Sequence, residues 1–288
     1  MKNQKVYEII TEQILEIMAQ GIIPWKKPWS ARGAHRNLVS GKQYRGVNVF
    51  LLSCSGFSSP WWLSFKQAKE KGGKVRKGEK GRQIVFWKPL IVKDTEVGTG
   101  KANDKKIFML RYYTIFNLDQ VDGIEAPQEP ETLLLEPIAE AEKIVQEMPN
   151  APEILEAAGD RACYYPSRDQ VQMPFFQDFD DSEEYYSVLF HELGHSTGHE
   201  NRLARKEVQG CSRFGSEDYS KEELVAEMTA AFLCGESGIL PATVRNSVAY
   251  LQSWSAKLKK DPKMVVNAAA AAQRAADCIL NREFSKQN

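Results

Sequence analysis

Three of the chain's four histidines, His191, His195 and His199, fall in one stretch, Phe190-His191-Glu192-Leu193-Gly194-His195-Ser196-Thr197-Gly198-His199; the fourth, His35, lies far upstream. On an α-helix, residues four apart stack on one face, so His191 and His195 can aim a ring nitrogen at the same metal ion. Glu192 is offset by one residue. That brings its carboxylate beside the ion's open position, where it can take a proton from water. Two ligands and a base at this spacing form the His-Glu-x-x-His pattern of metal-dependent peptide hydrolysis. The plainer alternative is a helix carrying two surface or capping histidines, and the surrounding sequence has to decide between them.

A site of this kind needs a third protein ligand and one open position. Asn201 stands where the extended metzincin pattern would require histidine, so that pattern is excluded. Downstream, Tyr219-Ser220-Lys221-Glu222-Glu223-Leu224-Val225-Ala226-Glu227 opens a strong helical segment, with Ser220 as the expected cap. Glu223 and Glu227 are four apart and share a face. Glu223 is the expected third ligand, and Glu227 the carboxylate that orients a ligating histidine. Glu222, about 100° further round the helix, is the second choice of ligand. A solvated acidic face would be the default reading, but Val225, Ala226, Thr229, Ala230 and Phe232 leave little of this helix polar. His199 fits a fourth ligand, a transition-state stabiliser or a helix-end cap, with the last two preferred. Tyr165, Tyr185, Tyr219 and Arg202 are candidate oxyanion donors among which the sequence does not choose. The expected ion is Zn2+, with another divalent metal such as Mn2+ also admissible.

The elements that must position these residues can be read locally. Asp181-Ser182-Glu183-Glu184 supplies a cap and an acidic first turn for the His191–His195 helix, which Gly198 ends. Before it, Ala162–Tyr165, Pro166–Asp169 and Gln170–Pro174 read as strand, turn and strand, offering an edge with which extended substrate could pair. Ala139–Met148 reads as a helix, as do Thr243–Leu258 and Pro262–Asn281, which cover the core.

The 288 residues carry no net charge, but the signs are segregated. Residues 1–125 hold 22 Lys and Arg against 11 Asp and Glu, a net of +11, and residues 126–288 hold a net of −11. Solubility alone needs no such segregation, so the basic half is a candidate for nucleic acid. Met1–Gly21 has apolar residues at helical spacing and reads as an amphipathic helix rather than a signal peptide. The chain has no apolar run of eighteen residues, which excludes a membrane-spanning helix. Five scattered cysteines without a Cys-x-x-Cys pair read as thiols in a reducing compartment. The expectation is a cytoplasmic protein with no membrane partner.

From Trp25 to Arg82 there are fourteen Lys and Arg, two acids and four of the six tryptophans. Flat rings beside cations suit single-stranded DNA, with bases on rings and phosphates on charges. The proline-flanked Trp25-Lys26-Lys27-Pro28-Trp29 segment, Arg45, Asn48, Trp61, Lys66, and Lys74, Arg76, Lys77 and Lys80 of a glycine-rich turn are the candidate contacts. Any one tryptophan alone reads more readily as core. Gln83–Trp87 and Ile107–Asn117 read as strands flanking a polar hairpin tip. No helix-turn-helix or zinc-finger pattern appears.

Over nearly its whole length the chain resembles the ArdC-type antirestriction proteins of conjugative plasmids and related mobile elements. In the basic half the likeness rests on Pro24-Trp25-x-x-Pro28-Trp29, Tyr44-Arg45-Gly46-Val47-Asn48, Lys66-Gln67-Ala68, Gly73 to Gly81, and Phe116-Asn117-x-x-Gln120. In the acidic half it rests on Tyr164 with Asp169, Met173-Pro174, His191 to Leu203, and Tyr219-x-x-Glu222-Glu223-Leu224-Val225-Ala226-Glu227. Ser196 departs from the tryptophan usual there. The resemblance implies an α+β fold: a basic N-terminal α+β nucleic-acid-binding domain and a zincin-like α+β metallopeptidase domain with a mostly helical core. Composition places these at residues 1–122 and 136–288, joined by an acidic, proline-containing linker at 123–135. The resemblance also implies a role in shielding incoming DNA from host restriction. Two readings follow: a metal-dependent peptidase held on single-stranded DNA, acting on an unidentified protein substrate or restriction component, and a DNA-binding protector whose metal site is structural only.

Overall fold

The computed structural model describes residues 2–26, 34–95, 102–127, 137–159, 161–209, 217–239 and 248–282. In chain order the elements are α1 (Lys2–Ala19), β1 (Arg36–Asn37), α2 (Val47–Ser53), β2 (Trp61–Ser64), α3 (Phe65–Glu70), β3 (Lys74–Val75), β4 (Arg82–Thr95), β5 (Ala102–Asn117) and β6 (Val121–Asp122). There follow α4 (Pro137–Gln146), β7 (Glu153–Glu156), β8 (Cys163–Tyr165), β9 (Gln170–Met173), α5 (Ser182–Ser196), α6 (Lys206–Gln209), α7 (Glu217–Ser237), α8 (Val248–Lys260) and α9 (Met264–Ile279). The class is α+β, as expected. Helix α7 begins at Glu217, which places Ser220 inside the helix rather than at its cap.

The basic half is built on a four-stranded sheet of order β1-β2-β5-β4, in which the long β4–β5 hairpin is antiparallel and β1 runs parallel to β2. Strand β4 lies at an edge, and part of its free backbone is paired by a side chain. The buried Asn48 of α2 donates to the Val85 carbonyl and accepts the Val85 amide, each at 2.8 Å. Asn48 thus does there what a neighbouring strand would do. Helix α1 lays Val6, Tyr7, Ile10, Ile14 and Met18 inward at the expected three-to-four spacing.

In the acidic half β7, β9 and β8 form a small sheet in that order, with β7 parallel and β8 antiparallel to β9. The outer strand on the side of α5 is therefore β8; β9, which precedes α5 more closely in sequence, lies in the middle. Helices α5, α7 and α9 pack against one another. Ala268, Ala269, Ala272, Ala275 and Ala276 present α9 as a slim inward face. Gly194 does the same for α5: a Cβ there would stand 3.1 Å from the Ala226 Cα and 3.2 Å from the Thr229 Cβ of α7.

The two halves share one buried core. Its largest cluster runs from α1, Trp25, α2 and the hairpin residues Val85 and Leu110 to α5, α7 and α9. Phe50 of α2 stacks on Phe232 of α7 with ring centres 5.0 Å apart. Arg45 forms an ion pair with the buried Asp277 of α9. The four described cysteines are free thiols, and no helix among the described residues is long and apolar enough to cross a membrane.

Two outcomes follow from this packing. Gly194→Ala should destabilise the protein by about 1–3 kcal/mol in urea unfolding, because the helices must part. At an exposed helical site the same change would stabilise by about 1 kcal/mol, so the sign reports the close approach. The second concerns His35, whose Nδ1 accepts the Trp62 indole N–H at 3.0 Å and whose ring is pushed by burial down from 6.5 to about 4. The unfolded chain then binds a proton between those values that the folded chain does not. This contribution is intact above pH 6.5 and is lost as pH falls toward 4. His35→Gln should flatten that part of the stability–pH curve relative to the unaltered protein.

Candidate metal centre

Asp181 caps α5 by accepting the Glu184 amide at 2.7 Å, and Glu183 and Glu184 occupy its first turn, as the sequence indicated. One turn before the helix ends, His191 and His195 point the same way, with their Nε2 atoms 3.2 Å apart. Glu223 of α7 faces both. Its Oε2 is 3.7 Å from His191 Nε2 and its Oε1 is 3.4 Å from His195 Nε2. One ligand atom from each of the three residues lies within 4.8 Å of the others. Two nitrogens each about 2.1 Å from one ion at tetrahedral angles stand about 3.4 Å apart, so the donor set fits a divalent cation.

The electrostatics point the same way. Burial alone would lower His195, yet its hydrogen bonds to Glu222 and Glu223 outweigh that and push it up to about 9. His191 is pushed down to about 3 by burial and by the neighbouring His195. His195 is thus flanked by two carboxylates, surroundings that favour a cation.

The carboxylate that orients His195 is Glu222. Its Oε1 lies 3.2 Å from His195 Nδ1, which leaves Nε2 for the ion. Arg205, at the start of the segment leading into α6, grips both oxygens of Glu222 at 3.0 and 2.6 Å and also binds the Gly194 carbonyl at 2.8 Å. Burial would raise the Glu222 carboxyl, but these hydrogen bonds hold it below the usual carboxylate range. The sequence pattern had given this orienting role to Glu227. Instead, Glu227, one turn further along the same face of α7, accepts the Trp25 indole N–H at 2.8 Å and the Tyr250 hydroxyl. Arg205 escaped the sequence reading altogether, since no local pattern ties it to residues seventeen positions away.

Glu192 is 8% exposed. Its Oε2 accepts the backbone amide of Tyr164 in β8 at 2.8 Å. Burial raises its carboxyl above the ordinary range. Glu192 and the outer strand β8 are thus joined by a single hydrogen bond.

His199 lies apart from the three ligands. Its Nδ1 accepts the Asn201 amide at 3.3 Å and stands 3.8 Å from Asp169, consistent with the helix-end role. Arg202 is buried in an ion pair with Asp169, which Tyr164 also binds through its hydroxyl at 2.9 Å, so Arg202 is a strut under β8. Tyr165 ends β8 opposite Gln170 and is half-buried. The side chain of Tyr219 lies outside the described residues.

The residues expected to meet DNA divide sharply. Trp25 is 1% exposed and Asn48 is spent on Val85, so neither offers a surface. Lys26 sits over the Tyr250 ring at 4.2 Å, while Lys27 and Trp29 lie outside the described residues. Arg45 is paired with Asp277, Lys66 with Glu70, and Trp61 is half-buried. Arg76 is tied to Glu79, Asp122 and the Asp119 carbonyl. Lys74, Lys77 and Lys80 are exposed.

Comparison with known proteins extends this picture. Residues 4–116 match the model of the N-terminal domain of anti-restriction factor ArdC, and residues 139–271 match that of a zincin-like metallopeptidase. The metal-free crystal structure of the antirestriction ArdC protein from the R388 plasmid is 34% identical, with a TM-score of 0.73 and 96% of this chain and 98% of that one covered. The Mn(II)-bound structure of the R388 protein gives 33% identity and a TM-score of 0.74, covering 98% and 99%. The uncharacterized protein y4eC of Sinorhizobium fredii (strain NBRC 101917 / NGR234) is 34% identical over 98% of this chain and 94% of its own length. DNA primase TraC of Escherichia coli is 35% identical over 95% of this chain, which spans only 20% of that relative. With both family models matched in order and a solved relative alike from end to end, the chain belongs to the ArdC antirestriction family.

Proposed function

We propose that this protein binds single-stranded DNA and hydrolyses peptide bonds with a divalent metal, Zn2+ being the expected ion, and so protects DNA entering the cell from restriction. The observation that carries the enzymatic part is the convergence of His191, His195 and Glu223 beside a buried, unligated Glu192. A purely structural ion would need no such base. Support for the DNA part comes from the +11 half and from the family.

His191, His195 and Glu223 would hold the ion. Bound there, a divalent cation supplies Lewis acidity, which makes water more acidic and polarises a carbonyl. The protein's own groups do the rest. Glu222 and Arg205 fix the ring of His195, so that its Nε2 stays aimed at the site. The outer edge of β8, whose Tyr164 amide is held by Glu192, offers its remaining backbone groups to an extended peptide and could align it across the cleft. Glu192 accepts the proton that the attacking water loses, at the oxygen not bound to Tyr164, and delivers it to the amine released when the peptide bond breaks. The raised proton affinity of Glu192 suits it to carry that proton between the two steps.

Replacing Glu192 by Gln separates catalysis from binding. The variant should keep its metal, measured by elemental analysis after dialysis, and lose about two to four orders of magnitude of peptide cleavage. Cleavage undiminished by Glu192→Gln would refute the base. Glu223→Ala should instead release the metal and lower the melting temperature increment that the metal confers. If DNA protection in a restriction assay survives Glu192→Gln in full, the protective role is one of binding alone.

A further inference from the structure

We propose that the open face of the β4–β5 hairpin bearing Phe86 and Tyr113 is the platform on which single-stranded DNA stacks. The placement rests on the DNA-binding reading above, and it is needed because Trp25 and Asn48 lie in the core. Strand pairing sets Ile84 opposite Tyr113, Phe86 opposite Arg111 and Lys88 opposite Met109. Alternation puts all six side chains on one face of the sheet. Toward the centre of the sheet that face is packed, with Ile84 and Ile115 against Tyr44, Leu52 and Trp62. Further along the hairpin it opens. Phe86 is 40% and Tyr113 46% exposed, their rings edge to face at 5.6 Å, with Tyr44 set behind Phe86 at 6.3 Å.

The charges agree with the rings. Lys88 and Arg111 are exposed, and neither forms an ion pair among the described residues. The two strands contain only two acids, Asp94 and Asp104, both near the tip of the hairpin and away from the rings. The opposite face is partly taken: Val85 and Leu110 enter the main core, and Trp87 meets Tyr7 of α1. Single exposed aromatics are ordinary on strands, whereas two rings in contact, with Arg111 beside both and Lys88 next along the strand from Phe86, form a surface for a stacked base and its phosphate. The backing by Tyr44 holds the Phe86 ring in place before any ligand arrives, which limits the ordering cost of binding.

The test is fluorescence anisotropy of the full-length protein with a labelled oligothymidylate of about 16 nucleotides, across a salt series. Phe86→Ala with Tyr113→Ala should weaken binding about tenfold or more while leaving the salt slope unchanged. Lys88→Gln with Arg111→Gln should lower the slope of log K against log salt by about 1.4, and this second pair guards against loss of fold in the first. Unchanged melting temperature and Mn2+ affinity would confirm that each variant is intact. If the unaltered protein binds the strand and both pairs of variants bind it equally well, the placement is overturned, as it would be were this face a seat for a protein. If the unaltered protein binds no single strand, the DNA reading itself falls, and the placement with it.

Discussion

How closely α5 and α7 can approach governs the rest of the molecule. Ligands on two helices meet at one ion only if the helix axes are near enough for a glutamate and two imidazoles to converge. Gly194 allows this, because its missing side chain leaves room for the Ala226 backbone and the Thr229 side chain. The glycine lies between His191 and Glu192 on one side and His195 on the other. It therefore sets the spacing at the point where an error would matter most. The carbonyl of this same residue receives Arg205, so the contact that brings the helices together also fixes the cation that steadies Glu222.

From that contact a chain of charges runs outward. Glu223 and Glu222, adjacent in sequence, face different nitrogens of His195. One carboxylate draws positive charge into the cleft, and the other, itself held by Arg205, fixes the direction of the ring. Neither effect would survive without burial, which strengthens each interaction by excluding water. The same burial raises Glu192, while His195 and Arg205 hold Glu222 down, so these two carboxylates of one cleft differ in proton affinity. A second, independent set, Asp169 with Arg202 and Tyr164, braces β8 and keeps its edge against Glu192.

Much of this was legible in the residues. The helix, its Asp181 cap, the paired histidines and the approach of Glu223 all follow from spacing, because a helix converts sequence offset directly into direction. Glu222 and Glu227 were misjudged for a reason that spacing cannot reach. Periodicity says that Glu222 points about 100° from Glu223, but only the crossing with α5 shows that His195 has a second nitrogen waiting on that side. Trp25 misled in the opposite sense. Proline and lysine neighbours give it the look of a surface ring, while the group that accepts its indole N–H, the Glu227 carboxylate, lies 202 positions away. Asn48 likewise reads as a polar surface residue until the unpaired edge of β4 is seen.

The bond from Trp25 to Glu227, together with the stacking of Phe50 on Phe232, bears on how such chains are inherited. Were the two halves exchanged separately between genes, each recombinant would expose half of one core, and the buried Glu227 carboxylate would lose one of its two donors. Such hybrids would fold less well than chains that receive both halves together. The match to TraC has that form: one continuous likeness through both halves, over 290 residues, within a relative five times as long. A fold whose interior crosses its own boundary is grafted whole.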